Sequence, residues 1–119
     1  MTRVGLAAHA TEAEFQQAVV HLAETCGWRV MHVRPSTVRD GRWATATSIP
    51  GWPDLTLLGH GRAIFVELKS ETGRVSPEQR RVIDELRAAG LDARVGRPRD
   101  WHSIEETLTG GRRHTRGDR

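Results

Sequence analysis

Two apolar runs separated by Gly-His-Gly, LTLL and RAIFVEL, constrain the fold of this chain more than any other feature. Runs of this length around glycines, which tolerate positive φ, predict two strands joined by a tight turn. Side chains alternate between the two faces of a strand, so Glu67 and Lys69 share one face. The residues between and before them, Ile64, Val66 and Leu68, face the other way. The hairpin should therefore bury one face and present an acid and a base on the other.

Helices and further strands are predicted on both sides of this hairpin. Thr11 and Glu14 form a capping-box pattern, as do Ser76 and Gln79 around Pro77, and glycine ends each apolar stripe that follows. We predict an α/β fold with a mixed central sheet flanked by helices, in the order α-β-β-β-α-β-α. The predicted elements are a helix at 12–26, strands at 28–34, 55–58 and 62–68, a helix at 76–90, a strand at 91–95 and a helix at 100–108.

Composition limits the class of protein. A chain of 119 residues suits one domain, its single Cys26 cannot form an internal disulfide, and its histidines lack the paired spacing of zinc sites. No apolar run approaches the length of a membrane span and no signal peptide is evident, so we expect a soluble, cytoplasmic protein. Residues 1–109 hold as many acids as bases. The net charge of +3 lies in residues 110–119, a basic tail expected to be disordered, which either binds phosphate non-specifically or aids solubility.

The segment 35–53 has no clear periodicity, and a long irregular segment in a small domain is often functional. Arg34, Arg39, Arg42 and Trp43 in or beside it could contact phosphates and stack on a base, although an ordinary solvated loop is the alternative. Three further arginines beside the last strand either line the same groove or form a surface cluster without function: Arg94, Arg97 and Arg99.

Asp54 joins the acid and the base only in one register of the hairpin. If the turn is His60-Gly61, Asp54 falls opposite Glu67, about 5 Å away between Cβ atoms; a three-residue turn would point Asp54 to the other face. Two carboxylates so close repel unless a cation lies between them, and Mg²⁺ or Mn²⁺ suits oxygen ligands. An exposed charged pair on the sheet is the alternative.

Lys69 is the only lysine beside 17 arginines. A compact ammonium can orient a water or contact a phosphate in a way that arginine cannot easily reproduce, although a chance occurrence is the alternative. Glu12 lies near the apolar stripe of the first helix and could add a carboxylate, or it serves only the helix dipole. Gln79 lies on the buried stripe of its helix, where capping Ser76 explains it more simply.

The order of these blocks resembles one known family. The helical Glu12, Glu14 and Gln16, then GWPD at 51–54, VELK at 66–69 and SPEQ at 76–79, are similar to the VRR-NUC family, the virus-type replication-repair nucleases of the PD-(D/E)xK superfamily, especially its small phage and prophage members. The resemblance covers residues 11–108. Trp52 departs from the Phe or Val that more often precedes Pro-Asp in such sequences.

The resemblance implies a restriction-endonuclease-like core and Mg²⁺- or Mn²⁺-dependent cleavage of DNA. Asp54 and Glu67, with the backbone carbonyl of Leu68 and Glu12, would be the metal-binding set. Lys69 would be catalytic and Gln79 supporting. Relatives act on branched DNA such as flaps or Holliday junctions, and some are homodimers. A non-catalytic DNA-binding adaptor and a nuclease acting on RNA are the competing interpretations.

Overall fold

The computed structural model of the chain describes residues 10–33, 35–37, 43–45 and 48–110. Its elements follow the predicted order, with two short strands added after the first. They are α1 Glu12–Thr25, β1 Arg29–His32, β2 Pro35–Thr37, β3 Trp43–Thr45, β4 Leu55–Gly59, β5 Arg62–Leu68, α2 Pro77–Ala88, β6 Asp92–Gly96, a 3₁₀ turn Pro98–Asp100 and α3 Trp101–Gly110.

The main sheet has four strands in the order β1-β4-β5-β6. The first two pairings are antiparallel, and β6 lies parallel to β5 because α2 carries the chain back between them. The predicted α/β class with a mixed central sheet is therefore confirmed.

Helices cover both faces of this sheet. On one face, α1 and α3 enclose the larger core cluster, in which Phe15 and Leu68 are fully buried. On the other face, α2 packs over β5 and β6 through Val82, Ile83 and Leu86. The predicted capping boxes start both long helices: Thr11 with Glu14 at α1, and Ser76 with Gln79 at α2.

The β4–β5 hairpin has the two-residue turn on which the position of Asp54 depends. Gly59 pairs with Arg62 and Leu55 with Val66. His60 and Gly61 both have positive φ, of 52° and 76°, as a type I′ turn requires.

His60 does more than occupy the turn. Its Nε2 lies 2.8 Å from the carbonyl oxygen of Cys26, and its ring stands edge-on to Trp28 with centroids 4.9 Å apart. These contacts hold the turn against the end of α1, so His60 has a structural role.

The prediction that 35–53 lacks regular structure is wrong. β2 and β3 pair antiparallel in a separate two-stranded sheet, with Pro35 opposite Thr45 and Thr37 opposite Trp43. Backbone hydrogen bonds can form such a ribbon without alternating apolar residues, and proline is tolerated as the first residue of a strand. The periodicity of apolar residues therefore does not predict these two strands.

Within the described parts of the chain, none of the helices is both long and apolar enough to cross a lipid bilayer.

Candidate active site

Glu67 is the most deeply buried charged residue of the described chain. It lies near the end of β5 on the face that carries Phe65 and Lys69, and its side chain is only 1% exposed. Carboxylates are rarely so deeply buried unless they are paired or bind a metal. The partners of Glu67 therefore decide what this position does.

Asp54 is held beside Glu67 by two neighbouring strands. The observed register continues from Leu55 opposite Val66, so Asp54 comes next to Glu67, which is one of the two alternatives that the sequence left open. Asp54 Oδ2 accepts a hydrogen bond of 2.9 Å from the amide of Leu68, and its backbone oxygen accepts one of 2.8 Å from the amide of Val33. The aspartate is thus fixed at both its backbone and its side chain before any ligand binds.

Lys69 completes the predicted set. Its Nζ lies 3.6 Å from Glu67 Oε2, and its side chain is 13% exposed. Strand alternation brings the two side chains to the same face, while the amide of Lys69 donates to the carbonyl of Gly96 on β6. The ammonium is therefore directed toward the carboxylates and largely shielded from solvent.

Gln79 serves the helix cap and the site together. Its backbone amide donates to Ser76 Oγ and its Oε1 accepts from the amide of Ser76, which is the predicted capping box. Its Nε2 donates to Glu67 Oε2 at 2.9 Å. The cap and the contact with Glu67 are compatible, because the amide has one oxygen for the cap and one nitrogen for the carboxylate.

One oxygen of Glu67 has no partner within the described part of the chain. Oε2 receives both Gln79 and Lys69, whereas Oε1 is buried without a hydrogen bond from any described residue. An ionised Glu67 leaves Oε1 without a donor, and a buried unpaired oxygen is costly.

The pKa values of Glu67 and Asp54 are both raised. Burial, followed by the charges of Asp54 and Glu12, raises the pKa of Glu67 to about 8 against the opposing effect of Lys69. Burial also raises the pKa of Asp54, although the Leu68 amide and Lys69 counteract it. Three acids therefore act on one ammonium, an excess of negative charge that a divalent cation would neutralise.

Glu12 reaches the same environment from the rim. It is solvent-exposed in the first turn of α1, less inward than predicted from the helical stripe. Desolvation raises its pKa, Lys69 lowers it and Asp54 raises it, so the three groups interact. Glu14, by contrast, is occupied with the cap of Thr11.

A cleft of about 950 Å³ opens between α1 and the ends of β1 and β4, and Glu12 and Asp54 lie on its wall. The sequence assigned no role to His32, yet the pairing of His32 with Leu55 brings it to this wall too. The lining residues are Glu12, Ala13, Gln16, Gln17, Val20, His32, Val33 and Asp54.

The donor set suits a hard cation bound with few protein ligands. Among the described residues no three His, Cys, Asp or Glu side chains converge as a ready metal cage. The neighbouring carboxylates of Asp54 and Glu67 nevertheless match Mg²⁺ or Mn²⁺, which retain several waters, and Oε1 of Glu67 has no partner among the described residues. Asp54 and Glu67 therefore fit such an ion, with Glu12 within electrostatic reach.

The arginines of β6 and the turn after it bind protein groups. Arg94 contacts Asp92 and Thr107, Arg97 donates to backbone carbonyls, and Arg99 bonds Glu71. The residues predicted to bind nucleic acid on the long segment cannot be placed: Arg34, Arg39 and Arg42 lie outside the described residues, and Trp43 is described only as the start of β3. Their role stays a prediction.

Gly51 has a structural requirement that sequence reasoning missed. Its φ is +86°, and a Cβ at this position would lie 2.6 Å from the carbonyl carbon of Glu78 and 2.7 Å from the amide nitrogen of Gln79. Trp52 beside it packs edge-on to Phe65, with centroids 6.0 Å apart, as part of the α2 core cluster. The loop before Asp54 thus seats directly on the start of α2, which carries Gln79.

Comparison with known families agrees with the geometry. The model of the VRR-NUC domain matches residues 11–100, a span that includes Glu12, Asp54, Glu67, Lys69 and Gln79. No curated protein and no solved structure shows a significant match to the chain.

Proposed function

The chain belongs to the VRR-NUC domain family, which implies a nuclease-type function on DNA, and we propose that it hydrolyses DNA phosphodiester bonds with Mg²⁺ or Mn²⁺. The observation that carries this proposal is the buried Glu67 carboxylate beside Asp54, with one oxygen that has no partner among the described residues and an ammonium 3.6 Å from the other oxygen. A purely structural carboxylate would have its oxygens satisfied.

Asp54 and Glu67 would hold the ion, together with the backbone carbonyl of Leu68 and with Glu12 at the rim. When bound, Mg²⁺ or Mn²⁺ supplies the Lewis acidity that lowers the barrier to phosphodiester hydrolysis. The protein supplies fixed ligands: Leu68 and Val33 hold Asp54, and Gln79 holds one oxygen of Glu67. The other oxygen stays available for the ion.

Lys69 acts on the reacting groups. Its shielded ammonium can orient an attacking water or donate to a phosphate oxygen, and it stabilises the negative charge that develops there. A point charge with three rotatable donors suits this small space, whereas the planar guanidinium of arginine is bulkier and demands a fixed fork of acceptors.

From the family resemblance we also propose four further properties of the protein. They are a branched or structured DNA substrate such as a Holliday junction, a role in phage replication, recombination or repair, action in the cytoplasm of a bacterial host cell, and assembly as a homodimer. The arginines of the long segment and the basic tail would supply phosphate contacts.

The test incubates the purified protein with end-labelled single-stranded, duplex, flap and four-way-junction DNA and with RNA, in Mn²⁺, Mg²⁺ or EDTA. We expect the wild-type protein to cut DNA only when a metal is present. Lys69→Ala should abolish this cutting, and Lys69→Arg should also be inactive. Arg62→Ala, a change remote from the site, is the matched control and should cut normally. The substrate that is cut fastest identifies the nucleic-acid class.

Full activity of Lys69→Ala would contradict the assignment of Lys69. A folded wild-type protein that binds DNA yet cuts no substrate with either metal would instead support the non-catalytic adaptor. Preferential cutting of RNA would show that RNA, and not DNA, is the substrate.

A further inference from the structure

Arg97 immediately follows β6 and turns its side chain back toward the end of β5. Its Nη1 donates to the carbonyl oxygens of Ser70 at 2.7 Å and Gly73 at 2.8 Å, with a longer contact of 3.3 Å to that of Glu71. The side chain is half-buried, and its donors on this side are directed at the backbone. One guanidinium nitrogen therefore ties together the three carbonyls of a single turn.

That turn directly follows Lys69. The amide of Gly73 closes it by donating to Ser70 Oγ at 3.0 Å, and Arg99 adds a second attachment through Glu71 Oε1 at 2.8 Å. Residues 70–73 are not part of a helix or strand, so nothing in regular secondary structure holds them. Arg97, together with Arg99, therefore attaches this turn to the segment that follows β6.

The turn also borders the side chain of Lys69. A Cβ built on Gly73 would lie 3.6 Å from Lys69 Cδ, so the Gly73 backbone lies beside the aliphatic stem. The amide of Lys69 is bonded to Gly96, the residue before Arg97. The turn that Arg97 holds therefore lies against one flexible side chain, whose free rotamers would otherwise cost entropy on ordering.

We propose that Arg97 is a positioning residue: by holding the Ser70–Gly73 turn against the stem of Lys69, it keeps the ammonium beside Glu67. The mechanistic part of this inference rests on the proposed nuclease function. Arg97 does not contact the substrate in this role, in contrast to the phosphate-binding role that its position beside the last strand suggested.

The single lysine makes the proposal measurable without catalysis. Protein labelled with ¹³C and ¹⁵N in lysine alone gives one set of side-chain NMR signals, those of Lys69. In the wild-type protein we expect dispersed, inequivalent Hε signals from an ordered stem. Arg97→Ala should move them toward the values of a free lysine, and Arg97→Gln, which keeps a side-chain NH₂ donor and adds no second lysine, should restore part of the dispersion.

Arg94→Ala is the matched control because Arg94 lies on β6, close to Arg97 in sequence, but its side chain donates to Asp92 and Thr107, away from the turn. It should leave the Lys69 signals in place. Unchanged Lys69 signals in a folded Arg97→Ala protein would overturn the proposal. If Arg97→Ala does not fold, Arg97→Gln carries the same comparison.

Kinetics distinguish positioning from substrate binding. Arg97→Ala should lower kcat about 10- to 100-fold, the scale expected for a misplaced catalytic group, with KM nearly unchanged. A raised KM with an unchanged kcat would show that Arg97 binds DNA and would overturn positioning. If the wild-type protein cuts nothing, the proposed function fails, while the NMR comparison still supports or overturns the positioning of Lys69.

Discussion

Two clusters of acids and bases lie on the same sheet and differ in whether they are complete. On β6, Asp92 bonds Arg94 at 2.7 Å and Arg62 at 3.0 Å. Partial burial by itself would raise the pKa of Asp92, but the hydrogen bonds and charges of the two arginines outweigh it and lower the pKa. In the site, burial and neighbouring acids raise the pKa of Glu67 to about 8 despite Lys69.

The difference indicates that the Asp92 cluster stabilises the fold, whereas the Glu67 cluster is suited to binding a ligand. The Asp92 cluster contains its own counter-charges and needs nothing from outside, so its interactions contribute to folding. The Glu67 cluster has more acids than bases and a buried oxygen without a described partner. Such a site costs stability in the free protein, and a bound cation would offset that cost.

Glu67→Gln should have the largest effect, because it changes the site while leaving the Asp92 cluster intact. Replacing the ligand by a neutral amide should lower the rate of DNA cutting by at least about 10²- to 10³-fold, the range for losing one electrostatic stabiliser of the transition state. Mn²⁺ should raise the Tm of the wild-type protein in calorimetry and leave that of the variant unchanged. Asp92→Asn, the matched control, should keep both cutting and the Mn²⁺ effect. Equal Mn²⁺ stabilisation in wild type and Glu67→Gln would contradict the site.

The pH dependence of stability should have opposite signs in the two clusters. The native pKa of Glu67 is about 8 and its ordinary value is 4.5, so between these values the folded state binds the extra proton. The metal-free protein should therefore lose stability as pH rises through that window, by at most about 1.4 kcal/mol per pH unit.

Glu67→Gln should remove this loss, as measured by urea unfolding in EDTA from pH 5 to 9. Asp92 has a native pKa below its ordinary value of 3.8, so its contribution is present above that value and disappears as pH falls below it. A wild-type stability that rises with pH between 5 and 8 would refute the assignment for Glu67.

The smallest effect should come from the complete cluster. Asp92→Asn should lower the free energy of unfolding by about 1 kcal/mol, because partly exposed ion pairs contribute little, and Arg62→Ala by about half as much. Urea unfolding at neutral pH measures both, and neither variant should lose cutting activity. An effect of several kcal/mol would mean that the β6 cluster is as important to folding as a buried network.

Local patterns in the sequence anticipated much of the fold. Caps at Thr11 and Ser76, glycine at the end of the first two helical stripes and the alternation in β5 depend on neighbours within a few residues. The register of the hairpin was open between two turns, and the structure confirms the one that sets Asp54 beside Glu67. The β2–β3 ribbon was missed because its strands have three residues each and no apolar alternation.

The chemistry of the site was only partly visible. The motif residues Asp54, Glu67 and Lys69 could be named, since the sequence order of GWPD and VELK carries them. The bond from Gln79 to Glu67 could not be derived, because it crosses from α2 to β5 and depends on how the helix sits. His32 on the cleft wall and Arg97 around the turn were likewise assigned either no role or a different one.

The sequence by itself determined the type and order of the main elements, the candidate residues and the family, because these follow from local spacing and from motif order. Tertiary structure alone decided that Gly51 packs on the peptide between Glu78 and Gln79 and that one buried oxygen of Glu67 has no described partner. Burial and charge balance arise from groups distant in sequence that meet in space. Desolvation raises the pKa of Glu67 only after α2 and the sheet have packed around it.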